Sequence, residues 1–155
     1  MSRRARWRSG VGIVMALLAS ATAGLAQNAA PAACARTEFE AVVDDAGEAL
    51  RTLTQKNSPV FQAKLRALKD KRGWSHEQFL ADGARFVRDD TISRFEDKSS
   101  TLLAKINGAG GDVVNATATD CTRLADLKAD MAALVAIQNE KWAYMFTTLD
   151  AELAK

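Results

Sequence analysis

The sequence predicts an all-α protein: a small up-down-type helical bundle of three long helices and one short helix, closed by one disulfide. Two observations predict the helices. Apolar residues recur every three or four positions in four segments, and no segment alternates with a period of two for long enough to indicate a strand. A third observation, the pair Cys34 and Cys121, predicts the disulfide.

The first 26 of the 155 residues are predicted to be a secretory signal peptide. A basic segment with four arginines precedes a short apolar run at 11–18, and small residues follow up to Ala26. We expect cleavage after Ala26, and therefore a periplasmic or secreted protein. The alternative is an uncleaved anchor, but the apolar run is shorter than the ~20 residues that a membrane span needs. Residues 27–33 are expected to form a flexible tail, and 34–155 the bundle domain.

Cleavage would change the sign of the net charge. The full chain carries 21 Lys and Arg against 19 Asp and Glu. Residues 1–26 hold four arginines and no acid, so 17 basic residues remain against the same 19 acids, a net charge of −2. The basic character of the full chain is therefore no indication of nucleic-acid binding.

The two cysteines are predicted to bond, because an isolated pair in an oxidising compartment usually does. The bond between Cys34 and Cys121 would close a loop of about 87 residues and contribute about 4–5 kcal/mol on a chain-entropy model. Two free thiols and a lipid-bearing Cys34 are the alternatives.

The first helix is predicted to begin between Cys34 and Thr37, where Thr37 and Glu40 have the spacing of a capping box. Asn57 is expected to end it. A second, shorter helix is predicted from the N-cap and N1 pair Ser58-Pro59 up to Gly73, which is typical of a helix C-terminus.

The third helix is predicted to begin at Ser75, which Gln78 answers three residues later. Its apolar positions continue to Ile106, and the glycine-rich segment 107–111 is expected to end it. The fourth helix is predicted from Thr119 or Asp120 to the end of the chain, a run without Gly or Pro.

A disulfide between the starts of the first and fourth helices requires these two helices to be parallel, with the third antiparallel to both. The first helix is too short to cover the far end of its neighbours, so the short second helix is expected to cover it. That upper end should gather Phe61, Leu65, Leu68, Trp74, Phe79, Phe86, Trp142, Met145, Phe146 and Leu149.

The sequence offers little for catalysis, and we expect no enzyme, no metal site and no cofactor. His76 is the single histidine, and the common haem, zinc, phosphate-loop and hydrolase motifs are absent. A haem held between His76 and Met145 is the one cofactor alternative. The pair Asp89-Asp90 is interpreted as part of a solvated ion-pair face, with Asp90 paired to Arg94 if it is partly buried.

The leading functional hypothesis is a non-enzymatic binding module whose partner is another envelope protein or an anionic membrane surface. Its candidate partner or ligand surface comprises Phe61, Leu65, Trp74, Phe79, Gln138, Trp142 and Met145. Its candidate anion contacts are Lys64, Arg66, Lys69, Lys71 and Arg72. The alternative is a carrier of a small apolar ligand or haem at the upper end. Gln138 interrupts the apolar stripe either to set helix register or to orient a ligand.

Overall fold

The computed structural model describes residues 33–114 and 119–155. The predicted signal peptide and most of the predicted tail lie outside these ranges. In chain order the elements are β1 (Ala33–Cys34), α1 (Arg36–Arg72), α2 (His76–Gly83), a 3₁₀ turn (Ala84–Phe86), α3 (Asp90–Val114), β2 (Thr119–Asp120) and α4 (Cys121–Leu153). The predicted fold class is confirmed: an all-α bundle of three long helices and one short helix with one disulfide.

The parallel arrangement of α1 and α4 follows from contacts at both of their ends. At the end that we call lower, Cys34 and Cys121 are bonded with their Cα atoms 5.1 Å apart. At the opposite, upper end, Arg72 of α1 lies 2.9 Å from Glu152 of α4. The predicted disulfide and the parallel arrangement are therefore both confirmed.

Helix α3 runs antiparallel to α4, as predicted. Asp89, just before α3, contacts Tyr144 near the upper end, whereas Lys105 further along contacts Asp130 near the lower end. Helices α1 and α3 both pack mainly against α4, which is therefore the central helix of the bundle.

The prediction of a helix boundary at Asn57 to Pro59 is wrong, because α1 continues through Pro59 to Arg72. A proline inside a helix removes one hydrogen bond and costs about 3 kcal/mol. The apolar stripe continues beyond it, and Phe61 and Leu68 are both buried in the bundle core. Their burial offsets the local cost, so that one 37-residue helix replaces the two predicted ones.

The prediction of one continuous third helix is also wrong. Here the structure divides one predicted helix into α2 and α3, whereas in α1 it joins two predicted helices into one. The capping box at its start is confirmed, with Ser75 Oγ accepting the N–H of Gln78 and Gln78 Oε1 accepting the N–H of Ser75. After the 3₁₀ turn, Asp89 Oδ1 accepts the N–H of Ile92 at 2.7 Å and begins a new helix. The short member of the bundle is consequently α2, not the predicted 58–73 segment.

Three further predictions concern the residues at which helices begin and end. The predicted capping box of Thr37 and Glu40 is wrong, since α1 begins earlier and Glu38 accepts the N–H of Ala35. Gly73 ends α1 with a left-handed φ of 62°, as predicted. Asp120 caps α4 by accepting the N–H of Thr122.

The prediction that the glycines of 107–111 end the third helix is also wrong, because α3 runs on to Val114. Glycine costs up to about 1 kcal/mol in a helix relative to alanine, but it keeps its N–H and its carbonyl. A glycine-rich segment therefore lowers the stability of a helix, but it does not interrupt the helical hydrogen bonds.

Two clusters of buried side chains form the core. The upper core is Phe61, Leu68, Phe86, Ile92, Met145 and Leu149, and the lower core is Ala46, Ile106, Met131 and Leu134. Partly buried residues extend the upper core, namely Leu65, Trp74, Trp142, Tyr144, Phe146 and Leu153. The predicted upper group is thus gathered there, except for Phe79. In the described ranges, no helix is long and apolar enough to cross a membrane.

The lower end also holds a pairing that the sequence did not indicate. Ala33 pairs with Asp120 and Cys34 with Thr119 as a two-residue antiparallel β-ladder. Two residues are too few to show a period of two in the sequence. The ladder aligns the backbones beside the disulfide, so that the chain before α1 is fixed to the start of α4.

Candidate functional site

The predicted upper contact surface is largely part of the core. Phe61 and Met145 are buried, while Leu65, Trp74 and Trp142 are partly buried against the same cluster. The rings of Phe61 and Trp142 pack edge to face with their centroids 6.0 Å apart. These residues therefore stabilise the bundle, and they leave little of their apolar area for a partner.

Phe79 lies apart from this cluster, on α2. Its ring is half-buried and faces the ammonium group of Lys69, 5.7 Å from the ring centroid. Phe79 and Lys69, predicted for two different roles, are therefore in contact with each other.

The predicted anion contacts mostly bind the end of α4. Lys64 pairs with Asp150, Arg72 pairs with Glu152, and Lys71 Nζ donates to the carbonyl oxygen of Leu153 at 2.6 Å. Because α1 and α4 are parallel, the negative ends of both helix dipoles lie at the upper end, where cations are favourable. Within residues 33–114 and 119–155, the side chains of Arg66 and Lys69 have no polar partner, and Lys69 faces the ring of Phe79 instead.

Glu152 is the centre of this group of charges. It accepts a hydrogen bond from Lys155 at 2.7 Å and lies 2.9 Å from Arg72 and 3.4 Å from Arg85. The hydrogen bond from Lys155, together with the two guanidinium groups, holds the pKa of Glu152 below its ordinary value of 4.5, against the opposing effect of desolvation. The carboxylate thus joins α1, the 3₁₀ turn and α4.

A groove lies between α1 and α3, with α4 as its floor. It encloses a cavity of about 260 Å³ and is lined by Leu50, Leu53, Thr54, Ser99, Leu103, Leu134, Gln138 and Trp142. We call it the central groove. It exists because α1 and α3 pack mainly on α4 rather than on each other. Leu103 is 45% exposed at its edge, so the groove is open to solvent.

A polar pair, the half-buried Gln138 of α4 and the buried Ser99 of α3, lies in the central groove. Gln138 Nε2 donates to Ser99 Oγ at 2.8 Å, and Ser99 Oγ donates to the carbonyl oxygen of Phe95 at 2.9 Å. This pair satisfies the amide nitrogen that interrupts the apolar stripe of α4, and it fixes α3 against α4. The carbonyl oxygen of Gln138 receives no hydrogen bond within the part of the chain that the structure describes, so it can accept one from a ligand.

Asp89 and Tyr144 form a second polar pair, which sequence reasoning missed. Tyr144 Oη donates to Asp89 Oδ2 at 2.6 Å. Burial opposes ionisation of Asp89, but this bond, the N–H groups of Ile92 and Thr91, and the charge of Arg94 outweigh it and lower its pKa below 3.8. The sequence pattern favours Asp90 over Asp89, but Asp90 is exposed and Arg94 donates to Thr91. The sequence does contain one signal for this site: Asp89 is a residue type that favours the N-cap position, and Ile92 lies three residues later, where an N-cap side chain accepts a backbone N–H.

The residues of the haem alternative lie in unlike surroundings. Met145 is packed in the upper core, whereas His76 is exposed at the first position of α2. Across the described ranges, no group of three or more His, Cys, Asp and Glu side chains is placed to hold a metal ion.

Comparison with known proteins identifies no relative of this chain. No protein-family model matches the chain, and searches of curated proteins and of solved structures give no significant match. Inference about function therefore depends on the central groove and on the surface of the upper end.

Proposed function

We propose that the protein is an exported, non-enzymatic binding module that carries a small, uncharged and largely apolar ligand in the central groove. The observation that carries this proposal is the lining of the groove. Leucine and tryptophan side chains surround a single amide, and none of the lining residues is charged. Small-molecule sites commonly combine such an apolar wall with a few polar groups that orient the ligand.

The size and the surroundings of the groove favour a compact ligand. Its volume of about 260 Å³ is below the ~300–1,000 Å³ of most pockets for drug-sized molecules. A second depression, of about 420 Å³ between α1 and α4, includes the charged residues Asp45 and Lys128 among its lining. An apolar ligand would have to desolvate those charges, which is costly, so the central groove is the better site.

Export is supported by two features of the chain. Residues 1–26 have the pattern of a signal peptide, and a disulfide between Cys34 and Cys121 is typical of proteins in oxidising compartments. An exported carrier can hold an apolar molecule in an aqueous space, where that molecule is poorly soluble.

Calorimetric titration with naphthalene and naphthol would test the proposal. Both probes are compact and apolar, and only naphthol has a hydroxyl that can donate to Gln138. We expect both to bind and naphthol to bind more tightly, by about 1 kcal/mol for one hydrogen bond. In Gln138→Leu the two affinities should become similar.

Two tryptophan substitutions provide a matched pair for this test. Leu103→Trp fills the mouth of the central groove and should abolish binding of both probes. Val60→Trp adds the same side chain at another exposed position, outside the groove lining, and should leave binding intact. Equal binding by both variants, or no binding by the unaltered protein, would refute the proposed function.

A further inference from the structure

Charge is distributed unevenly along the bundle. We define the upper tip as residues 64–88 and 150–155, which include the end of α1, α2, the 3₁₀ turn and the end of α4. The upper tip has eight Lys and Arg against five Asp and Glu, a net charge of +3. The remaining body, residues 33–63 and 89–149, has nine against 14, a net charge of −5. The molecule therefore has a positive pole and a negative body.

The upper tip also exposes apolar side chains. Leu80 of α2 is 60% exposed and Val87, just after the 3₁₀ turn, is 40% exposed. Leu80 lies within α2, and Val87 follows the 3₁₀ turn that comes directly after this helix. Phe79 and Gly83 lie on the side of α2 that is less exposed. The exposed side of α2 is mixed, since Glu77 and Asp82 are exposed beside Leu80, so Leu80 and Val87 are two separate apolar contacts within a polar surface.

Two cations of the upper tip are not used within the bundle. Arg66 and Arg88 are exposed, and their guanidinium groups have no polar partner in residues 33–114 and 119–155. Arg88 directly follows the exposed Val87. By contrast, Lys64 and Arg72 are paired with the end of α4. The combination of free guanidinium groups and exposed apolar side chains is typical of protein surfaces that bind at a bilayer interface.

We propose that the upper tip docks on an anionic lipid bilayer, with Arg66 and Arg88 at the headgroups and Leu80 and Val87 inserted between them. Charge complementarity selects this partner. An extended anionic plane attracts the tip with its charge of +3 and repels the body with its charge of −5, so that the long axis of the bundle stands on the surface. This inference is independent of the central groove and goes beyond the proposed function.

Vesicle flotation would test the docking. The protein would be recovered after export from a bacterial host and its N-terminus determined by intact mass, so that all variants share one N-terminus. Vesicles of phosphatidylcholine alone would be compared with vesicles containing equal parts of phosphatidylglycerol. We expect binding only to the anionic vesicles, and release at about 0.5 M salt, where screening shortens the reach of the charges.

Two double charge-reversal variants test whether vesicle binding depends on where the positive charges lie or only on the net charge of the protein. Each cation near an anionic surface contributes about a fivefold factor in partitioning. Arg66→Glu with Arg88→Glu should therefore weaken vesicle binding by at least ~25-fold. Lys56→Glu with Lys98→Glu changes the net charge equally, at exposed positions of the body, and should weaken it only slightly.

A second pair of variants tests the apolar contact without a change in charge. Val87→Ser should weaken binding several-fold, whereas Val60→Ser, at a valine of similar exposure on α1 below the upper tip, should not. Equal binding by the two charge-reversed proteins would overturn the proposal. So would equal binding to both vesicle types, or capture of an acidic protein by the tip in place of lipid. Unchanged naphthol binding in these variants would show that the central groove is intact.

Discussion

The upper and lower halves of the bundle are held together in different ways. In the upper core, Leu68 and Leu149 are 0% exposed and large side chains fill the space between the helices. In the lower core, Ala46 and Met131 remain slightly exposed, and the ends of α1 and α4 are joined by a covalent bond. At the lower end the disulfide thus adds a covalent link to packing that includes the buried Phe39 and Leu124, whereas the upper end has packing and ion pairs, and the central groove lies between the two cores.

Removal of the disulfide should cause the largest loss of stability among the changes that distinguish the two halves. Cys34→Ser with Cys121→Ser opens a loop across 87 residues and should lower the free energy of unfolding by about 4–5 kcal/mol. Urea denaturation measures the loss, and reduced unaltered protein is the control. Amide exchange should increase most at the starts of α1 and α4; an even increase along both helices would contradict the division into two halves.

Two leucine truncations should sharpen the comparison. Leu149→Ala leaves a cavity in the closed upper core and should cost about 4 kcal/mol, near the upper part of the range for such changes. Leu134→Ala changes a residue that already lines the central groove and should cost about 2–3 kcal/mol. Thermal and urea denaturation would measure both. If the two costs are the same, the lower half is packed as tightly as the upper half.

Loss of one hydroxyl in the upper half should have an intermediate effect. Tyr144→Phe removes the donor to Asp89 and should cost about 1.5–3 kcal/mol, as for a hydrogen bond to a charged group. The pKa of Asp89, followed by NMR, should rise. An Asp89→Asn background is the control, because the effect of Tyr144→Phe should be smaller there; equal effects in both backgrounds would show that the pair is not coupled.

Gln138→Leu should change stability by less than about 1 kcal/mol. The substitution removes the hydrogen bond to Ser99, but the Ser99 hydroxyl keeps its bond to the carbonyl oxygen of Phe95 and is not left unpaired. Denaturation would measure the difference, and Ser99→Ala in the same background is the control. A loss of several kcal/mol would mean that the pair, and not the apolar core, holds α3 against α4.

The two halves should also differ in their response to pH. The pKa of Glu152 is lowered, so its contribution to stability is present above pH 4.5 and is lost as the pH falls through its folded-state pKa. The hydrogen bond from Lys105 to Asp130 raises the pKa of Lys105 above 10.5, so that contribution is lost only as the pH rises beyond this value. Amide protection factors, which are corrected for the intrinsic dependence of exchange on pH, should therefore fall in acid at the upper end and in base at the lower end. Glu152→Gln should reduce the response to acid and leave the response to base unchanged, and the acid response that remains is expected from Asp89, whose pKa is also lowered.

Sequence reasoning succeeded where a single local interaction decides the structure. The capping box of Ser75 and Gln78, the C-terminal Gly73 and the N-cap Asp120 all depend on neighbours within a few residues. The pairing of Cys34 with Cys121 succeeded for a different reason. Only two cysteines are present, the expected oxidising compartment favours the bond, and the parallel direction of the first and fourth helices follows from it.

It failed where tertiary packing outweighs a local preference. Pro59 is a strong breaker, but nothing in its neighbourhood shows that Phe61 and Leu68 will be buried in a core shared with α4. The division at Asp89 is likewise stabilised by Tyr144, which lies 55 positions away in the sequence. Of the residues that line the candidate site, Gln138 and Trp142 were predicted from the sequence. The central groove itself was not, because it depends on the weak packing between α1 and α3, and the spacing of apolar residues does not reveal how closely two helices pack.

The separation between the two cysteines also has a consequence for folding speed. Helix α1 finds its main neighbour, α4, only after a loop of 87 residues has closed, and contacts so distant in sequence slow the search for the native state. An oxidised chain begins this search with the ends of α1 and α4 already side by side. Refolding should consequently be much faster for the oxidised chain than for the reduced one, and early oxidation would shorten the time during which the apolar stripe of α4 is uncovered.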